Sequence, residues 1–209
     1  MHPMATSLIA FIAAASVVTV APGLDSALVL RTAASEGPRQ ATLTGLGIAL
    51  GCLTWAAVVA AGLGVLLEAS HLAYSALRWA GAGYLFWIGY KLLRHPRRAL
   101  LAELPAARAG RAAFARGALT NLLNPKVGVF YVSFLPQFVP SGIPVAPYIM
   151  LLGAIHMVLG LIWFTCLITA TRPLARWLQR SAVVTNLDRI TGGLFLAFGA
   201  GLALQTRRL

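Results

Sequence analysis

Asp25 lies just beyond Pro22-Gly23 in the stretch V20-A-P-G-L-D25, inside an apolar run that begins LIAFIAAASVVTV and resumes as SALVL. Proline withholds a backbone donor and crowds the preceding turn, and glycine admits non-helical dihedrals, so the pair should break or sharply kink a helix. Freed carbonyls are tolerated in hydrocarbon only where protein buries them or where they line a wet cavity. This backbone is therefore expected to face the interior of a helix bundle. A carboxylate there costs about 3 kcal/mol by insertion scales and marks a functional position by default. Asp25 has two compatible readings: binding of a ligand or proton, and capping of the helix that restarts after Gly23.

A second interruption, N121-L-L-N-P-K126, carries the opposite charge. The amides of Asn121 and Asn124 can bond freed backbone groups or a polar ligand, and Pro125 repeats the helix break. Lys126 is too far from Arg116 on one side and from Pro136-Gln137 on the other to snorkel easily to either interface. Its expected partner is Asp25, across the two breaks. Opposite charges meeting there would suit a zwitterionic ligand. His156, in G153-A-I-H-M-V-L-G160, reads either as a proton relay or as a satisfied core residue.

The elements that must position these residues are transmembrane helices. The chain has 209 residues, 59% hydrophobic and 11% charged, and its mean hydropathy is +0.80. That composition excludes a water-soluble globular domain. Apolar runs long enough to cross a core of roughly 30 Å fall at 5–30, 43–67, 72–93, 114–139, 146–170 and 187–205. The +12 net charge sits in the connecting segments, so it points to membrane topology and not to nucleic acid. Arg31 and Arg39, the basic residues from Lys91 to Arg116, and those from Arg172 to Arg189 occupy alternate connections, while only Arg207 and Arg208 lie on the opposite side. The positive-inside rule makes the rich side cytoplasmic and places both termini outside. The N-terminal run lacks a basic flank and continues past Ala21, so it reads as a retained span and not as a cleaved signal. Cys52 and Cys166 fall within spans and read as small packing residues; no metal or cofactor is implied.

The basic linker 95–112 divides the chain into two three-helix units, 1–94 and 113–209. R78-W-A-G-A-G-Y-L-F-W87 aligns with R189-I-T-G-G-L-F-L-A-F198, so the third and sixth spans look like copies. Units with an odd number of spans must be inverted relative to each other, an arrangement common in secondary transporters. Pro22 precedes Arg31 by the same interval that separates Arg116 from Pro125. At 1.5 Å per residue both breaks lie about 14 Å from the cytoplasmic edge, near the midplane. The fold class expected is an all-α polytopic membrane protein of six spans, with the first and fourth broken. G45-L-G-I-A-L-G51 and G81-A-G83 read as close-packing strips. Trp79, Trp87, Trp163, Trp177 and Tyr148 read as interface anchors or packing.

Taken together, P22-G-L-D-S-A-L-V-L, E36-G-P-R-Q-A, G45-L-G-I-A-L-G51, W79-A-G-A-G-Y-L-F-W-I-G89, F114-A-R-G-A-L-T-N-L-L-N-P-K126 and F134-L-P-Q-F138 resemble the lysine exporter (LysE) superfamily, most closely its homoserine/threonine exporter branch. The similarity runs from about residue 10 to 140 and is looser in the last third. The resemblance implies a six-span exporter of amino acids or their derivatives in the bacterial inner membrane, driven by protons and often dimeric. The family's first motif usually reads Pro-Gly-Pro followed by Asp or Asn. Pro22, Gly23 and Asp25 carry over, and Leu24 replaces the second proline. Asn124-Pro125-Lys126 carries over intact.

The expected function is export of a neutral or small polar amino acid in exchange for protons, at a site formed by Pro22, Gly23, Asp25, Asn121, Asn124, Pro125 and Lys126, with His156 a further candidate. A divalent-ion exporter would need several oxygen ligands, whereas Asp25 is the one carboxylate read within the spans. An enzyme would need a converging nucleophile and base, and the sequence offers no such motif. A scaffold would leave two depth-matched charged breaks unexplained.

Overall fold

The computed structural model describes residues 3–21, 23–69, 71–96, 111–170 and 180–204. Pro22, Trp177 and most of the basic linker lie outside these residues. The described chain is all-α: α1 (Pro3–Val20), α2 (Leu24–Ser35), α3 (Pro38–Ala69), α4 (His71–Arg94), α5 (Arg111–Leu122), α6 (Pro125–Val129), α7 (Val145–Thr169) and α8 (Ser181–Leu204). Two helical segments, Pro38–Gly62 of α3 and α7, are long and apolar enough to cross a membrane. The pair α1 and α2, bent by 52°, makes a third if it counts as one span. This is a polytopic membrane protein.

The segment expected to connect the first two spans is shorter than the sequence suggested. Helix α2 continues to Ser35, so Arg31 projects from a helix and the reversal is confined to Glu36 and Gly37. The amides of both residues donate to the Thr32 carbonyl, at 2.8 and 3.1 Å. Gly37 takes φ +91°, a left-handed conformation that a side chain would strain. Pro38 then opens α3, where its missing N–H is no loss. Across this corner Arg116 Nη2 of α5 donates to Glu36 Oε1 at 2.8 Å.

The fourth apolar run is broken twice in character. Helix α5 ends at Leu122 and α6 begins at Pro125. From Phe130 the helix widens to a π turn through Phe134, then tightens to 3₁₀ over Leu135–Phe138. Pro136 has no N–H to offer the carbonyl one turn back, so the α ladder cannot pass through it. Gln137 compensates in part, its Nε2 donating to the Ser133 carbonyl at 2.7 Å.

Helix α3 is the centre of the bundle, packed on α5 and on α7, and α4 packs along α8. Backbones come very close where glycines meet. A Cβ on Gly47 would lie 2.0 Å from the Phe114 carbonyl oxygen, and one on Gly117 would lie 2.1 Å from that of Thr44. Of the second strip expected from the sequence, Ala82 packs on α8, its carbonyl oxygen 3.3 Å from where a Cβ on Gly199 would stand; among the described residues nothing approaches a Cβ on Gly83 within 4 Å, and closer packing of α4 on α8 falls at Gly89 and Gly192. Tyr148 is a packing residue, not an interface anchor; it is buried and donates to Ser7 Oγ at 3.2 Å. Ser7 in turn donates to the Phe138 carbonyl, joining α1, the 3₁₀ end of the fourth run and α7.

Because a Cβ on Gly117 would meet backbone and one on Gly83 would meet none of the described residues, the two should respond differently to substitution. Gly117→Val should force α3 and α5 apart at a cost of about 1–3 kcal/mol or more, lowering the Tm in detergent by roughly 5 °C or more. Gly83→Ala should leave it within about 1 °C. Equal melting of the two variants by tryptophan fluorescence would contradict this packing.

Candidate functional site

Helix α2 begins with Gly23 as its N-cap residue, and no side chain caps it. Leu24 is therefore the first helical residue, the position where proline is as acceptable as any other residue. The departure from the family's Pro-Gly-Pro pattern falls where it disturbs helix formation least. Asp25, one residue further, does not cap α2, contrary to one reading of the sequence. Its carboxylate is bonded from the fourth run instead: Asn121 Nδ2 donates to Oδ2 at 2.7 Å, and Asn124 Nδ2 reaches Oδ1 at 3.5 Å.

Each asparagine is set by its own break. Asn121 sits in the last turn of α5, fully buried, with Nδ2 also 3.5 Å from Cys52 Sγ. Its Oδ1 faces α3 at a point where a Cβ on Gly51 would lie 2.5 Å away, so only glycine admits the amide. Asn124 is the N-cap of α6, its side chain accepting the Lys126 N–H at 3.1 Å, with Pro125 at the first position. One amide thus restarts a helix and turns its remaining donors toward Asp25.

Lys126 extends from α6 toward the other break, since a Cβ on Gly23 would lie 3.9 Å from its Nζ. Gly23, Asp25, Asn121, Asn124, Lys126 and His156 all line one cavity of about 70 Å³, walled further by α1, α3 and α7. Pro22 lies outside the described residues, and Pro125 enters the site through its place in the backbone. His156 Nδ1 pairs with the Tyr131 hydroxyl at 2.9 Å, and its ring lies 4.8 Å from that of Phe130. Among the described residues no three His, Cys, Asp or Glu side chains gather as a metal site would require.

Several contributors escaped the sequence reading. For Trp163, read as an interface anchor or packing, the packing alternative fits, with a bond the sequence did not foretell: its indole N–H donates to Ser26 Oγ at 3.1 Å, fixing α7 against the start of α2. Tyr131 is buried and hidden in the sequence among other aromatics, although its placement on the turn after α6 brings it to His156. Cys52 lines the cavity, whereas Cys166, expected as packing, is exposed. Asp188 is a second carboxylate buried within a long helix, α8, so Asp25 is not the only one. The residue lies beside Thr185, Asn186 and Arg189 at the polar start of the last apolar run, which made it look like part of a connecting segment.

The LysE type translocator family matches residues 16–206. The homoserine/homoserine lactone efflux protein of Salmonella typhimurium is 29% identical over 194 residues, covering 93% of this chain and 94% of that protein. The threonine efflux protein of Escherichia coli K12 is 32% identical over 196 residues, covering 90% and 93%. An uncharacterized membrane protein of Bacillus subtilis, YrhP, is 27% identical over 208 residues, covering 95% and 99%. No solved structure matches the chain.

If Asn121 holds the Asp25 carboxylate, the two residues must be energetically coupled. A double-mutant cycle of Asp25→Ala and Asn121→Ala, read by thermal unfolding in detergent, should give a coupling of about 1–2 kcal/mol. Additive losses would mean that the bond contributes nothing.

Proposed function

The chain belongs to the LysE type translocator family and is a multi-pass inner-membrane transporter of small, amino-acid-like solutes; on that premise we propose that it exports neutral or small polar amino acids, homoserine- or threonine-like, in exchange for protons. The observation that carries this reading is the meeting of the two helix breaks on one cavity. Asp25 is clamped by Asn121 and Asn124 on one side of it, and Lys126 reaches the Gly23 break on the other.

A zwitterionic amino acid needs an anion acceptor and a cation donor a few ångströms apart. In the proposed site Lys126 takes the substrate carboxylate, and Asp25 takes the ammonium. Asn121 and Asn124 keep the Asp25 carboxylate oriented, and carbonyls freed by Pro22-Gly23 and Pro125 supply further acceptors. Asp25 also carries the coupling proton: binding of substrate ammonium and of a proton to one carboxylate exclude each other, which is what an exchange mechanism requires. His156, on the cavity wall and paired with Tyr131, is a second proton carrier in this scheme.

The same reading assigns six spans in two inverted units, 1–94 and 113–209, joined by the cytoplasmic linker 95–112. It is supported by the pairing of elements that the repeat makes equivalent: α3 packs on α7 and α4 on α8. Both termini then face the periplasm, and the protein is expected to form a homodimer.

Three measurements test the proposal. In proteoliposomes Asp25→Asn should abolish proton-driven threonine or homoserine efflux while the protein still purifies as a folded species; full efflux would remove Asp25 from the mechanism. Lys126→Met should weaken substrate binding about 10-fold or more, the loss expected for one charge-assisted hydrogen bond. Periplasmic and cytoplasmic reporter fusions at residues 95 and 209 should report opposite sides, and a cytoplasmic C-terminus would overturn the six-span assignment.

A further inference from the structure

Thr19 and Ser26 both bring a hydroxyl to the cavity, and they differ in what holds their protons. Thr19 Oγ1 donates to the Ala15 carbonyl at 2.7 Å, back onto the preceding turn of its own helix. Ser26 is the third residue of α2, so no turn of its own helix precedes it. Its oxygen instead accepts the Trp163 indole N–H at 3.1 Å.

An indole nitrogen donates and cannot accept, whereas a hydroxyl carries one proton and two lone pairs. The Trp163 bond therefore occupies a lone pair of Ser26 and leaves its proton, and among the described residues no acceptor takes that proton. Ser26 is buried and borders the cavity. Water can take this bond before substrate enters. A substrate that displaces the water must supply an oxygen of its own or leave a buried donor unpaired, which is costly. Trp163 also fixes the direction of the bond, because the serine side chain cannot turn to another rotamer without losing the indole.

Position agrees with this chemistry. Ser26 follows Asp25 along the chain, and both line the cavity. With the substrate ammonium on Asp25, a group close to the ammonium along the substrate comes to the neighbouring side chain. In threonine the hydroxyl sits on the carbon adjoining the one that bears the ammonium, and in homoserine one carbon further. Their deoxy counterpart, 2-aminobutyrate, has the same carbon chain and no side-chain oxygen.

We infer that Ser26 recognises the side-chain oxygen of the substrate by donating its hydroxyl proton to it, and that Trp163 is the positioning residue that aims this donor. The inference rests on the amino-acid transport reading above and assigns, within it, the residue that favours hydroxylated side chains over their deoxy counterparts.

The test is counterflow in proteoliposomes holding the full-length protein, with labelled threonine and, separately, labelled 2-aminobutyrate as tracer, each competed by unlabelled threonine, homoserine and 2-aminobutyrate. In the unaltered protein the two hydroxylated amino acids should compete at concentrations about 10- to 100-fold lower than 2-aminobutyrate, the difference expected when a buried donor is left unpaired. Ser26→Ala should remove most of that advantage. Trp163→Phe, which keeps an aromatic ring and loses the N–H, should reduce it several-fold. Equal competition in the unaltered protein, or an advantage unchanged in Ser26→Ala, overturns the inference and leaves the transport reading standing. Uniform weakening of all three amino acids in Ser26→Ala assigns Ser26 to packing and overturns it as well; the same result in Trp163→Phe overturns the positioning role. An advantage retained in Ser26→Ala and lost in His156→Phe moves recognition to His156 and overturns the assignment to Ser26. If Ser26→Ala is not recovered folded, Ser26→Cys, similar in shape and a weaker donor, should shift the ratio in the same direction, and an unchanged ratio there overturns the inference. Absence of counterflow with both tracers in the unaltered protein overturns this inference and the transport reading together.

Discussion

The structure is organised around one requirement: a carboxylate placed within a membrane-spanning bundle must be given donors by protein. Asp25 obtains them from Asn121 and Asn124, which belong to a different broken run. The bond therefore couples the two breaks. It also sets conditions further out. Asn121 can occupy its position only because Gly51 leaves room on α3, and α3 lies close enough only because Gly47 and Gly117 let backbone meet backbone. A polar contact of 2.7 Å thus explains a strip of glycines on two helices that otherwise looks like generic membrane packing.

The two breaks are unlike in construction. At the first, the bend of 52° leaves α2 starting at Gly23 without a side-chain cap. At the second, Asn124 caps α6 through the Lys126 N–H, so that helix start is internally satisfied. The charge at the second break comes from Lys126 itself. Sequence symmetry between the breaks therefore does not extend to their chemistry. One presents a helix start without a side-chain cap and a carboxylate, and the other presents amides, already ordered, and an ammonium.

Much of this was legible in the sequence, and the parts that were not share a cause. Pro-Gly and Asn-Pro interruptions of apolar runs announce themselves, because both break helices by local sterics. Most helical extents were legible to within a few residues; the exceptions are the last helix, which begins at Ser181 and not 187, and Glu36-Gly37, where the left-handed glycine compresses a connection that charge had suggested was longer. Asp25 was recognisable as exceptional, but its asparagine partners were foreseen only as general polar groups. Contacts such as Trp163 with Ser26 and Tyr131 with His156 depend on which side of a helix faces inward. In a membrane that is hard to read, since both faces are apolar and hydrophobic periodicity is lost. The π turn was hidden for a related reason: its residues, Phe130–Phe134, have no composition that distinguishes them from an ordinary apolar helix.

Beyond the site, each broken run is fastened at its distal end to another element. Glu36, at the end of α2, is paired with Arg116 of α5. At the opposite end of the bundle Ser7 of α1 bonds to the Phe138 carbonyl and receives the Tyr148 hydroxyl. Helix segments held at both extremes cannot slide, because sliding would break contacts at both ends together. They can pivot where the hydrogen-bond ladder is already interrupted, near Gly23 and Leu123-Asn124, and where it changes register through the π and 3₁₀ turns. Gly23, Asn124 and Phe130 among them line the cavity. In the proposed mechanism a change in what occupies Asp25 acts on the joints of both runs at once, and a binding event of a few contacts is transmitted along two spans without a separate relay.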